Sequence, residues 1–382
     1  MTMYTTKCRR CGLIQAQAST CKSCGAAMTE ESAPHRDDRF TPAKPRASFS
    51  FSGSAARAED WSSDPHEADK TLRLYFRGSA GTLFGIHLVN ILLTLCTLGI
   101  YSFWAKAKVR GYLLSQSEFE GDRFAYHGSG KELLLGTLKA ALVFGLPVML
   151  LQNVPMLLGT EMWIRIVALL LIYPIVMVFI PFAIVGTRRY RLSRTSWRGV
   201  RFSFRGSAKE FIKLFIGGSL LTGLTLGFYG PFFSVKQYAF LTSHSYLGNQ
   251  KFHFEGSGRE IFSAYVIALL LTVPTLGLSW FWYAARKQRC LLGQTSFGAA
   301  RFDCGVTGGA LCFLTLTNLV LLVVTLGLAS ALATVRNIRF WFDKVSLKGP
   351  LDMEAIQQEA QSATATAEGL AGFLDLDFDL GL

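Results

Sequence analysis

Arg201-Phe-Ser-Phe-Arg-Gly-Ser-Ala208 is one copy of a unit that recurs along this chain. The other copies read Leu74-Tyr-Phe-Arg-Gly-Ser-Ala80, Phe124-Ala-Tyr-His-Gly-Ser-Gly130, Phe252-His-Phe-Glu-Gly-Ser-Gly258 and Phe302-Asp-Cys-Gly-Val-Thr-Gly308. Their anchors, Gly78, Gly128, Gly206, Gly256 and Val306, are spaced by 50, 78, 50 and 50 residues. In four copies Thr-Leu-Gly follows, and its glycine (Gly99, Gly227, Gly277, Gly327) stands at the same offset from the anchor each time. A fixed period of this size marks a repeat architecture. Repeats therefore start near residues 73, 123, 201, 251 and 301.

Within a unit, alternating apolar and polar residues predict a half-exposed strand. The residues just upstream alternate as well, and a glycine-centred turn (Gly121, Gly199) predicts a hairpin. Gly-Ser-Gly or Gly-Ser-Ala ends the strand, and its serine is placed to cap the helix that follows. The apolar runs are 81–105, 133–159, 163–186, 211–235, 261–285 and 310–334. Each is long enough to cross about 30 Å of hydrocarbon as a helix. Thr-Leu-Gly falls late in the single runs, where it kinks a helix or turns a re-entrant hairpin.

Composition agrees with membrane embedding. Half of the 382 residues are hydrophobic, 17% are charged and 30 are phenylalanine. Net charge is +13, and the segment after Lys348 holds seven acidic residues and no basic one, leaving +20 for the rest. This positive charge sits between apolar runs, which speaks for membrane-flanking cations and against nucleic acid. The most regular of them are Lys108, Lys236, Arg286 and Arg336, each 30 residues past its anchor, with Arg188 the counterpart in the longer second copy. Aromatic residues precede them, as at an interfacial belt facing lipid headgroups.

Residues 1–28 carry Cys8-Arg-Arg-Cys11-Gly and Cys21-Lys-Ser-Cys24-Gly. Two such knuckles present four thiolates to a tetrahedral structural zinc ion. The competing reading is a pair of redox dithiols, without a thioredoxin-like context to support it. A closed site of four cysteines is structural or partner-binding and implies a reducing, cytoplasmic location. Residues 29–70 read as a disordered linker. Within it, Phe49-Ser-Phe-Ser-Gly-Ser-Ala55 imitates the repeat anchor with no apolar run behind it. Residues 71–348 form the repeat domain. Residues 349–382 form an acidic disordered tail ending Asp375-Leu-Asp-Phe-Asp-Leu380. Its alternation suits a docking or strand-adding peptide.

The fold class expected is an α-helical polytopic membrane protein of about five repeats, with an added zinc ribbon. Run length favours six single crossings. These place loops such as 106–131 and 236–260 on opposite sides, although all are basic, which violates the positive-inside rule. Helical hairpins in every copy remove that conflict by returning each copy to one side.

The repeated Phe-x-(Phe/Tyr)-x-Gly-(Ser/Thr)-Gly, with Thr97-Leu-Gly-Ile-Tyr-Ser-Phe-Trp104 and Lys106-Ala-Lys-Val-Arg-Gly-Tyr112, resembles the YjgN family of bacterial inner-membrane proteins, defined by a domain of unknown function (898). The resemblance spans about residues 71–345 and leaves out the cysteine module and the tail. It implies an inner-membrane location and carries over no catalytic or binding residues. The second copy departs from the pattern by lacking Thr-Leu-Gly.

Polar residues inside apolar runs are functional candidates. His87 and Asn90 lie in the first run and Asn318 in the last; both asparagines stand 12 residues past their anchors. They line a polar path or hold helices together. No nucleophile–base set, phosphate loop or intramembrane metal motif occurs, so an enzyme is not expected. The function expected is a transporter or channel for a small solute. The alternative is a membrane scaffold recruiting protein partners through the zinc ribbon and acidic tail, with the lipid bilayer as the common partner.

Overall fold

The computed structural model describes residues 5–7, 14–16, 71–159, 161–351 and 356. It divides into two units, 1–60 and 61–382. In the first, β1 (Thr5–Lys7) pairs antiparallel with β2 (Ile14–Ala16), Lys7 opposite Ile14. All four cysteines of the expected zinc ribbon, Cys8, Cys11, Cys21 and Cys24, lie outside the described residues.

The second unit is not the α-helical polytopic bundle expected from run length. Its ten strands, β3 (Thr71–Phe76) through β12 (Val345–Lys348), form one closed antiparallel barrel. Each repeat opens with a longer strand: β3, then β5 (Asp122–Tyr126), β7 (Val200–Phe204), β9 (Gln250–Phe254) and β11 (Ala300–Cys304). Each ends with a shorter one: β4 (Ser117–Phe119), β6 (Thr195–Trp197), β8 (Ser245–Leu247), β10 (Thr295–Phe297) and β12. Two-residue turns join one repeat to the next. Glu120-Gly121 and Arg198-Gly199 take positive φ at both positions, the type I′ pattern; Gly248 and Gly298 take it at the first, as in type II′. Pairing of β12 with β3, Leu347 opposite Leu72, closes the ring.

Between its two strands every repeat sends out a pair of helical arms. They are α1 (Ala80–Cys96) with α2 (Ser102–Ser115), and α3 (Gly130–Ala140) leading through a π-helical turn (Ala141–Gly145) into α4 (Leu146–Leu157), then α5 (Met162–Ser193). There follow α6 (Ala208–Leu224) with α7 (Gly230–Ser243), α8 (Arg259–Leu270) with α9 (Ser279–Gly293), and α10 (Gly308–Val324) with α11 (Ser330–Lys344). Because the barrel is antiparallel throughout, all arms leave and re-enter at one end, and the four β-turns lie at the other.

Thr-Leu-Gly is what turns four of these hairpins and defeats the six-crossing expectation. Leucine and glycine both adopt left-handed φ, 50° and 93° at Leu98-Gly99. The Gly99 amide donates to the Thr94 carbonyl at 2.8 Å, the long bond of a Schellman stop. The Thr97 hydroxyl donates back to the Leu93 carbonyl and accepts from the Tyr101 amide, clipping the end of one arm to the start of the next. Thr225, Thr275 and Thr325 repeat both contacts. A run that looks like one crossing is therefore an arm, a tip and part of a return. The helix α1 has 17 residues. At 1.5 Å per residue it spans about 25 Å, short of the hydrocarbon thickness. Among the described residues only Gly130–Val154 and Met162–Ser193, both in the second repeat, are long and apolar enough to cross.

Side chains fill the barrel. One residue per strand meets its neighbour across the ladder: Leu74 with Phe119, Phe124 with Trp197, Phe202 with Leu247, Phe252 with Phe297, and Phe302 with Leu347. Trp197, Leu247 and Phe297 are buried at the centre of this cluster, and Leu351 and Ile356 pack against it from the chain that leaves β12. A small barrel with aromatic residues on nearly every strand has a core, not a lumen.

The next layer explains the anchor glycine. A Cβ on Gly78, Gly128, Gly206 or Gly256 would overlap the ring two residues earlier, that of Phe76, Tyr126, Phe204 or Phe254. The fifth repeat has Cys304 in place of the aromatic, and there the anchor is Val306, fully buried beside it. In every repeat the residue before the anchor donates its amide to the carbonyl ending the second arm, as Arg77 does to Gln116 at 2.9 Å and Gly305 to Lys344 at 2.8 Å. Strand end and helix end are thus stitched together five times.

Candidate functional site

Around the ring, the second arm of each hairpin packs on the first arm of the next: α2 on α3, α5 on α6, α7 on α8, α9 on α10, and α11 on α1. Glycine permits the closest of these approaches, since a Cβ on Gly130 would lie 2.7 Å from the Trp104 backbone. Each arm buries only a narrow stripe. In α1, Leu83 and Asn90 are buried, whereas Leu88, Val89, Ile91, Leu92 and Leu95 are exposed. The two long apolar segments of the second repeat are only 17% and 22% buried. Exposed apolar surface of this extent belongs against lipid or another apolar surface.

The tips carry the same message. Leu98, Leu226, Leu276 and Leu326, the leucines of Thr-Leu-Gly, are 89–95% exposed. Lys108, Lys236, Arg286 and Arg336 each lie ten residues beyond a tip leucine. That rise along a helix is about half the thickness of the hydrocarbon core. Lys108, Lys236 and Arg286 are exposed. Lys236 donates to the Tyr229 hydroxyl at 2.8 Å, and Arg336 to the Thr317 hydroxyl of its own hairpin at 3.0 Å. Arg188 does not match this set when the copies are aligned on their short strands. It stands seven residues before β6, as Arg110 stands before β4, and is half-buried.

The three candidate polar residues separate into two sites. Asn318 in α10 donates to Asn337 of α11 at 3.3 Å, joining the two arms of one hairpin. The position equivalent to Asn337 in the first repeat is Val109. Asn90, 6% exposed, accordingly has neither amide atom hydrogen-bonded. His87 lies one turn earlier; its Nδ1 is 3.5 Å from the Ser330 hydroxyl of α11, and its Nε2 is buried without a partner. No group of three or more metal-ligating side chains occurs among the described residues.

Two features escaped sequence reasoning. The first is the strand–helix junction: Glu132 in the first turn of α3 accepts two bonds of 3.1 Å from Arg194 and one of 3.3 Å from the Tyr190 hydroxyl. The second is a belt of cations on the outer face of the barrel: Arg73, Arg123, Arg201, Lys251 and Arg301, one per repeat. All five stand five residues before their anchors, so the repeat alignment alone contained the signal. Nearby, Arg77 donates to Glu118 at 2.9 Å, Arg198 pairs with Asp122, and Lys348 pairs with Asp303 at 2.7 Å. The Lys348 ammonium holds the Asp303 carboxyl below the usual carboxylate range, while burial pushes the Cys304 thiol upward.

Three curated relatives carry the name Inner membrane protein YjgN. The chain is 32% identical to that of Salmonella typhimurium over 137 residues, 36% of this chain and 32% of the relative. It is 33% and 32% identical to those of Escherichia coli O157:H7 and K12, again over about a third of each chain. The match thus spans about a third of the length of these relatives. No solved structure matches. The model of the family described as bacterial protein of unknown function (DUF898) matches residues 71–281 and 265–373, more than half of the chain. The chain belongs to this bacterial family, DUF898.

Proposed function

We propose that this protein is a membrane-docked scaffold. One observation carries the reading: all five hairpins leave from and return to the same end of a single, side-chain-filled barrel. Tip leucines enter the bilayer, the cations behind them meet headgroups, and the second hairpin reaches furthest. The barrel then stands at the membrane surface as a platform. Among the described residues the basic segments fall on the barrel's side, with Arg165 at the second tip the exception, and the positive-inside rule makes that side cytoplasmic. The relatives' names support the inner membrane as the location. The linker 29–70 contains no apolar run, so the cysteine module shares that side. There its four thiolates stay reduced and fit structural zinc. In this non-catalytic reading the module recruits a protein partner.

The test has three measurements on the full-length protein. Zinc is expected at one per chain, and absent from Cys8→Ser/Cys11→Ser. That variant should keep its membrane residence and lose its cross-linked envelope partners; an unchanged partner set removes the module as recruiter. Solute flux in proteoliposomes above that of empty liposomes would sink the scaffold reading itself.

Such flux is the second reading, a transporter or channel. The unpartnered amide of Asn90 beside His87, at the seam between the first and last hairpins, favours it. Flux lost on Asn90→Ala would support it. A route through the barrel axis is disfavoured by the aromatic filling.

A further inference from the structure

We propose that the acidic tail docks on the chain's own barrel, along the cation belt at the turn end. The belt residues are the second residue of β5, β7, β9 and β11 and the third of β3, so they encircle the end away from the helices. Across the ladder on one side of them stand Ser346, Glu118, Ser196, Tyr246 and Ser296, four of the five uncharged, and on the other side of Arg301 stands Lys348. Counted with Arg198 and Lys348, the belt gives this end, among the described residues, seven cations against four acids, Glu118, Glu120, Asp122 and Asp303. Three of those acids pair with cations off the belt, namely Arg77, Arg198 and Lys348. The end is therefore net positive among the described residues; Glu118, Glu120 and Asp122 gather at β4 and β5, so the positive charge is concentrated from Arg198 round to Lys348.

The tail starts at this same end. Leu351 and Ile356 pack on the barrel core beside Phe297, at a cleft of about 230 Å³ that Gln250, Gly298 and Ala299 also line. The 26 residues after Ile356 contain Glu359, Glu368, Asp375, Asp377 and Asp379 and no lysine or arginine. Extended at about 3.3 Å per residue, that length exceeds the girth of ten strands set about 4.8 Å apart, so the tail can reach any belt residue. In an extended chain the last three acids share one face. A closed barrel has no free edge, so strand addition to it is closed to the tail, and side-chain charge is what remains. Tethering holds the tail near the belt at an effective concentration of order millimolar, so it competes with any acidic partner for that surface.

The test places the photo-crosslinking residue p-benzoylphenylalanine at Phe378 of the full-length protein in nanodiscs. Adducts are expected within one chain, on peptides containing Arg123, Arg201 or Lys251. Their yield should fall about five-fold or more between about 0.05 M and 0.5 M salt, as exposed ion pairs do. Arg123→Glu/Arg201→Glu/Arg301→Glu should give the same loss. If that variant fails to fold, Asp375→Asn/Asp377→Asn/Asp379→Asn alters only the tail and should also lose the adducts. Adducts on the helical arms, on residues 1–60 or between chains overturn the proposal, as do belt adducts insensitive to both salt and charge.

Discussion

The barrel and the hairpin ring are built from the same five repeats, yet they differ in how tightly copies resemble one another. In the barrel each copy is held by two neighbours and by the stitched helix end, and the same offset carries the same role every time. Among the hairpins, the first arms of four repeats stop at 12 or 17 residues. The second repeat runs to 25 and 32, with Pro174 and Pro181 inside α5. Ring closure fixes strand length and register, because a misfit in one copy must be absorbed by all. A hairpin tip touches only its neighbours' flanks, so its depth is free to vary. Differences in length between copies therefore belong to the arms, while the one exchange at the barrel's rim, Cys304 with Val306, conserves the packing, and errors in the barrel should cost most.

The sharpest test of that contrast is all-or-none. Single cysteines at Gly121, Gly199, Gly248 and Gly298, in a background lacking exposed native thiols, should all label from one side of the membrane. Cysteines at Leu98, Leu226, Leu276 and Leu326 should resist polar reagents from both sides, and one at Leu158 should label from the other. Opposite labelling of Gly248 alone would restore single crossings and break the comparison.

Next in size is the anchor. Gly206→Ala puts a Cβ 2.5 Å from the Phe204 ring. The overpacking should cost about 1–3 kcal/mol. The fifth repeat suggests its own remedy. Phe204→Cys with Gly206→Val should lose less, by thermal denaturation, than the two changes added separately; strict additivity would mean that Cys304 and Val306 are unrelated. In the arms the effects shrink. Thr225→Val removes the clip hydroxyl and should cost about 1 kcal/mol, as loss of a cap does, with faster amide exchange at Leu226–Tyr229. Thr225→Ser should be close to silent.

Smaller still is the pair of asparagines, where the sign matters. Asn318→Leu breaks the bond to Asn337 and should cost about 0.6 kcal/mol. Asn90→Leu removes an amide with no partner and should be neutral or stabilising. Equal losses at both sites would mean that Asn90 holds a guest. Least is Asp303, half-exposed beside Lys348. Its folded-state carboxyl lies below its unfolded value, so the pair contributes stability above the unfolded carboxylate pKa and loses it as pH falls through the folded one. Asp303→Asn should flatten that slope in acid denaturation by no more than a surface pair contributes.

These residues also show where a sequence is readable. The alternation at Phe202–Phe204, the turn at Arg198-Gly199 and the offset of Thr-Leu-Gly are local, and each marks a local element. Closure is not local. Leu72 and Leu347 are partners at the two ends of the repeat domain, and neither residue's neighbourhood announces the other. Run length misled because residues 81–105 are apolar through arm, tip and return alike; only the positive φ at Leu98-Gly99 divides them. The polar candidates were visible, since asparagine stands out in an apolar run, but their division into a satisfied pair and an orphan depends on Asn337 and Val109, which lie in the opposite arms. The four cysteines expected to bind zinc lie outside the described residues.

The pairing of β12 with β3 has a consequence in time. During synthesis β3 emerges first of the ten strands and meets β4 soon after, but its other edge waits for residues 345–348. At bacterial elongation speeds of about 5–20 residues per second, that wait lasts tens of seconds. Through all of it an unpaired strand edge is exposed to neighbouring nascent chains. The four-residue strand Val345–Lys348 is therefore the latch of the ring. A chain truncated just before it would keep nine strands and every hairpin, yet leave two open edges on which copies can join.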